Sequence, residues 1–237
     1  MINLKTALMT TTLAVGLALA GGSAFAADLA APAMAAAPPA PEATPGMYVS
    51  VFGGYAFGNS VAGETTQTSF NISVPYNSGY VIGGAIGTHI VPNLRGEVEV
   101  SYASHNAEGA SGAFASGGGT GTATGSLSTL YLLGNLWYDI DMGGSITPYL
   151  GGGLGAAVIM PNQTIDSGAP YTTDAWSFAG QLGAGVKFAL SDNITLDLGY
   201  RAKSVFGANV TGTAPGSNLT GVHYWDQTIQ AGLTFGF

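Results

Sequence analysis

The chain has 237 residues, 8% of them charged, with thirteen Asp and Glu against five Lys and Arg, no cysteine and 38 glycines. So few cations exclude a nucleic-acid interface built on a basic patch, and the lack of cysteine excludes a disulfide scaffold and thiolate metal sites. The length suits one domain of ordinary size rather than two.

Residues 1–6 carry Lys5, residues 7–20 form an apolar run, and Ala24-Phe25-Ala26 is a small-x-small cleavage site. This is the pattern of a secretory signal peptide over residues 1–26, with a mature chain expected to begin at Ala27. Residues 27–46 are nearly all Ala and Pro. That composition builds no packed core, so a periplasmic linker, part polyproline II and part disordered, is expected there. Past the signal no stretch of about eighteen apolar residues remains. The apolar character is therefore spread over many short segments, as in a membrane barrel or a very apolar soluble all-β protein.

From residue 47 onward, eight strand-like runs follow one another: 47–57, 79–90, 94–104, 126–138, 146–160, 175–189, 194–206 and 223–237. Short connections (91–93, 139–144, 191–193) alternate strictly with long ones rich in Gly, Ser, Thr and Asn (58–77, 105–125, 161–174, 207–221). Short turns at one end and long loops at the other are the plan of an up-and-down transmembrane barrel. The expected fold is all-β: an eight-stranded antiparallel up-and-down transmembrane β-barrel over residues 47–237.

The side-chain pattern assigns the faces. In 94–104, Leu94, Gly96, Val98, Val100 and Tyr102 oppose Arg95, Glu97, Glu99, Ser101 and Ala103. In 175–189, Trp176, Phe178, Leu182, Val186 and Phe188 oppose Ser177, Gln181, Gly183, Gly185 and Lys187. In 194–206, Ile194, Leu196, Leu198 and Tyr200 oppose Thr195, Asp197, Gly199, Arg201 and Lys203. All four cations beyond the signal thus share the polar, inward face. A Lys or Arg facing lipid at the midplane costs roughly 2–4 kcal/mol, which pins the register. A soluble lipocalin-like barrel or sandwich also alternates, but it would carry more cations and needs no long-short rhythm of connections.

Lys187 and Asp197 lie equally far from the turn at Asp192 on one face, and are expected to pair. Arg95, Glu97 and Glu99 would fill the same turn half, with Arg201, Lys203 and Asp226 towards the long loops. A buried charge without a partner is strongly destabilising, so these eight are expected to form networks that plug the barrel. Trp176, Trp225, Tyr102, Tyr138, Tyr200 and Phe237 fall near strand ends, where aromatic girdles belong. The last strand alternates Ile229, Ala231, Leu233, Phe235 and Phe237 against Thr228, Gln230, Gly232, Thr234 and Gly236.

The segments MYVSVFGGY (47–55), TPYLGGGLG (147–155), GNLWY (134–138), LGYR (198–201) and LTFGF (233–237) resemble the OmpA-like small outer-membrane barrels, in the form common among alpha-proteobacterial surface proteins. The resemblance covers residues 47–237. It implies the outer membrane as location, reached by signal-directed export, with the N-terminus and short turns periplasmic. It implies Phe237 as an assembly signal read by the barrel-assembly machinery, periplasmic chaperones on the way, and membrane lipid and lipopolysaccharide as surroundings. The fold hosts structural, adhesive and enzymatic members. The expected role is structural and surface-exposed, as a monomer, with a host or environmental ligand met through the loops. A narrow channel is the alternative, and a lipid A-modifying enzyme a remoter one.

Other signals are weak. Residues 151–156 fit the dinucleotide fingerprint G-x-G-x-x-A, but that motif needs a helix where a strand is expected. His89, His105 and His223 lie on separate elements without metal-ligand spacing. Ser104, His105 and Glu108 are the nearest approach to a hydrolase constellation, and are expected to be loop residues in water. No cofactor, metal or catalytic residue is assigned.

Overall fold

In β7 the side chains from Leu130 to Asp139 alternate without a break. Leu130, Leu132, Leu136 and Tyr138 are exposed, while Tyr131, Leu133, Asn135, Trp137 and Asp139 are buried. Large aliphatic side chains outside, with a polar and aromatic set inside, reverse the logic of a water-soluble fold. Period-two alternation leaves a strand as the only way to separate the two sets.

The computed structural model describes residues 46–65, 71–107, 110–114, 119–165, 174–210 and 219–237. The expected signal peptide and nearly all of the expected linker lie outside them. In chain order the strands are β1 (Met47–Ala56), β2 (Asn59–Thr65), β3 (Asn71–Tyr76), β4 (Gly79–Val91), β5 (Leu94–Asn106), β6 (Ala110–Phe114), β7 (Gly119–Asp139), β8 (Ile146–Ile165), β9 (Ala175–Ala189), β10 (Ile194–Val210) and β11 (Leu219–Gly236).

Eight of them, β1, β4, β5, β7, β8, β9, β10 and β11, pair antiparallel with their chain neighbours. The ring closes where β1 meets β11, from Tyr48 opposite Gly236 to Ala56 opposite Thr228. With both neighbours present, no stave offers a bare edge. Phe237 continues this junction: its N–H donates to Met47 O at 3.0 Å, and its ring is exposed at the turn end.

At the loop end the structure departs from the sequence reading. The connections 58–77 and 105–125 contain β2, β3 and β6, and β7, β8, β10 and β11 run several residues past their expected ends. β2 pairs with β3 and β11, and β6 with β7, while β3 touches β6 at Ser73 and Ala113. Above the ends of β1, β4 and β5, the short strands thus take their places in the wall. The reason is a change of environment. Beyond the apolar belt the outer face needs no hydrophobes, so Thr124, Asn106 and Asn162 are exposed there. Packing comes instead from inside, where Tyr76, Leu127, Ile159, Val205, Ala208 and Val222 form a buried core. A strand whose outer face is Ser, Thr and Asn reads as a loop.

The β10–β11 ladder slips at this level, between Val205 and Ala208. Gly207 and Gly221, near the slip on the two strands, have φ of 71° and 62°. Both values lie in the left-handed region where glycine alone is at ease.

Candidate functional site: the lumen

All four cations of residues 47–237 point into the barrel, and each meets an acceptor. At the turn end, Asp139 Oδ2 accepts from Arg95 Nε at 2.8 Å and from Lys187 Nζ at 2.7 Å. Arg95 also donates to Tyr48 OH at 3.2 Å. Glu97 accepts from Tyr48 OH at 3.0 Å and from Trp137 Nε1 at 2.7 Å. One level up, Tyr149 OH donates to Asp197 at 2.7 Å and accepts from Arg201 at 2.9 Å. The Arg201 guanidinium lies 4.3 Å from the centre of the Trp137 ring, within cation–π range.

At the waist, Lys203 is wholly buried, its ammonium 2.6 Å from both Glu99 Oε1 and Ser101 Oγ. The other Glu99 oxygen accepts from Gln181 at 2.7 Å and from Asn135 at 3.0 Å. Above them, Asp226 accepts from Tyr131 OH at 3.3 Å and lies 3.2 Å from His105 Nε2. Tyr224 closes this level through hydrogen bonds with Tyr131 and Thr129. Beyond it comes the apolar core of the loop end. A cavity of about 30 Å³ lies among Arg95, Glu97, Trp137, Arg201 and Phe52, room for a water or two.

Arg95, Glu97, Glu99, Lys187, Asp197, Arg201, Lys203 and Asp226 are therefore all lumenal, but their partners differ from the sequence reading. Lys187 and Asp197 sit opposite each other on β9 and β10, yet Lys187 bonds Asp139 and Asp197 takes Tyr149. Lys187 lies opposite the small Thr147 of β8, so its long chain reaches past it to β7. Lys203 and Asp226 also face each other across a ladder, yet Lys203 crosses the barrel to Glu99. Glu99 thus belongs to the waist and not to the turn half. In so narrow a lumen, long side chains bond across the axis as readily as along a ladder.

The sequence pattern puts Asp139 in the turn 139–144, whereas it ends β7 and faces the lumen. Its signal was the parity of β7, which continues inward through Tyr131, Asn135 and Trp137 to Asp139. His105 is 2% exposed rather than a loop residue in water. Its neighbour Ser104 faces the other way, 3.1 Å from Ser128, so the two share no site, and Glu108 lies outside the described residues. The glycine-rich run 151–156 lies inside β8.

The family model for the outer membrane protein beta-barrel domain matches residues 23–237. An uncharacterized protein of Brucella abortus is 40% identical over 90 residues, covering 34% of this chain and 31% of its own length. The chain thus spans about a third of the curated relatives it matches. Among solved structures, the outer membrane protein OprG of Pseudomonas aeruginosa aligns with a TM-score of 0.51 at 19% identity, over 81% of this chain and 96% of its own. The outer membrane protease OmpT of Escherichia coli aligns at 0.50 with 9% identity, over 81% and 97%. At these identities the likeness is one of fold.

Proposed function

Because this chain belongs to the outer membrane protein beta-barrel domain family, we propose that it is a monomeric, non-conducting barrel with a structural role in the outer membrane and a contact role at its loop end. The signal peptide exports it, the short turns face the periplasm, and the collar of β2, β3 and β6 faces the cell's surroundings. The observation that carries this reading is the filled lumen. Ion pairs close the turn half, Lys203 and Glu99 close the waist, and an apolar core closes the loop half. Eight staves leave an interior just wide enough for side chains to fill. His105 and Asp226, an acid-base pair by composition, are 2% and 0% exposed. That burial favours a packing role over hydrolysis.

Folded full-length protein in planar bilayers tests this. No steady single-channel current is expected. A reproducible, porin-sized current from the monomer overturns the reading in favour of small-solute transport. Loop-end variants exchanging residues 66–70 or 211–218, which lie between the described strands, should keep the barrel fold while altering adhesion of cells to host or environmental surfaces.

A further inference from the structure

On the outer wall of β5 to β11, large side chains are interspersed with very small ones in two adjacent rows. One row runs Gly96, Leu136, Gly152, Leu182, Ala202. The next runs Gly134, Leu154, Gly180, Ser204, Trp225. The small residues floor an apolar groove of about 470 Å³ walled by Leu136, Leu154, Leu182, Phe206 and Trp225. Barrel strands tilt, so a row followed towards β11 climbs. The deep end of the groove lies below mid-belt at Leu136, two residues from Tyr138 at the turn end of β7, and its shallow end lies at the aromatic rim by Phe206 and Trp225.

The shallow end has a polar mark. Ser204 faces outward, between Lys203 and Val205, which face the lumen. It is 5% exposed and lines the groove, and its hydroxyl has no hydrogen-bond partner among the described residues. A hydroxyl turned towards hydrocarbon without a partner is costly. The occupant that removes this cost has an apolar body reaching mid-belt and one acceptor near the rim.

We propose that this groove is a binding site for one acyl chain of a lipid in the leaflet at the loop end. The chain lies over Gly134, Gly152 and Gly180, and its ester or amide carbonyl accepts a hydrogen bond from Ser204 Oγ. A second copy of this chain fits less well, because its outer wall would offer Ser204 mostly aliphatic side chains. The site is independent of the contact role proposed above.

The test uses full-length protein reconstituted in vesicles of ester-linked dimyristoyl-phosphatidylcholine, extracted into mild detergent and weighed by native mass spectrometry. Wild type is expected to retain one lipid. A side chain at Gly134 would meet only Leu154 O, 3.9 Å from its Cβ, so Gly134→Leu fills the groove and the retained lipid is lost. Ala202→Leu does the same from β10 should the first variant fail to fold, with heat-modifiable gel migration as the check. Ser204→Ala is expected to lower retention roughly fivefold, the factor one neutral hydrogen bond supplies. A dialkyl ether phospholipid lacks the carbonyl, so wild type should retain it roughly fivefold less, and Ser204→Ala should leave that figure unchanged. The proposal is overturned by any of four results: no lipid on wild type, full retention by the filled variants, equal retention of ester and ether lipids, or a lipid-free dimer that Gly134→Leu dissociates.

Discussion

Glu99 carries more of the lumen than any other residue. It accepts from Lys203, Ser101, Asn135 and Gln181. Removing it strands a buried ammonium and takes one acceptor from each of two amide donors, Asn135 and Gln181. Glu99→Ala is therefore expected to cost about 3–5 kcal/mol, the usual penalty for breaking a buried ion pair from one side. Denaturant unfolding in detergent, followed through tryptophan fluorescence, measures this. The double variant Glu99→Gln/Lys203→Met removes both charges while keeping the shape and the amide donors' acceptor. It should be less destabilised than Glu99→Ala, because no uncompensated charge is left behind. A double variant as unstable as Glu99→Ala would mean that the pair itself, rather than the stranded ammonium, sets the cost.

At the scale of the strands, the outer face decides what a sequence can reveal. Leu132 sits mid-belt on β7 and is half exposed, so Leu132→Lys should lose roughly 2–4 kcal/mol, the midplane penalty for a cation. Thr124 lies on the same face of the same strand but above the belt. Thr124→Lys should stay within about 0.5 kcal/mol, as surface substitutions do. Unfolding of the two variants in lipid vesicles gives both numbers. The same contrast explains what was legible. Where lipid demands aliphatic side chains, alternation is plain, and β9 was delimited to the residue. Above the belt only the inner face is apolar, and Val205, Ala208 and Val222 are too scattered among Gly, Ser and Thr to mark a strand. The lumen was legible by face and not by partner. Parity points Lys187 inward, but no local rule says that Asp139 on the next strand but one will hold it.

For the whole molecule, every Lys and Arg of the barrel is spent inside. The exposed charges at both ends, Asp141, Asp174 and Asp192, are acidic, and the undescribed loop stretches add Glu108 and Asp166 but no Lys or Arg. To its surroundings the barrel is thus an anion of a single sign, carried by a chain of formal net charge -8. Its approach to an anionic membrane is opposed by long-range repulsion that small ions can screen. Going from about 0.01 M to about 0.15 M salt shortens the screening length from about 30 Å to about 8 Å. Insertion from the urea-denatured state into vesicles containing anionic lipid should quicken over that range. Insertion into purely zwitterionic vesicles should hardly change. A chain of net positive charge would show the opposite salt response, so the sign of this slope reports the net charge that the membrane meets.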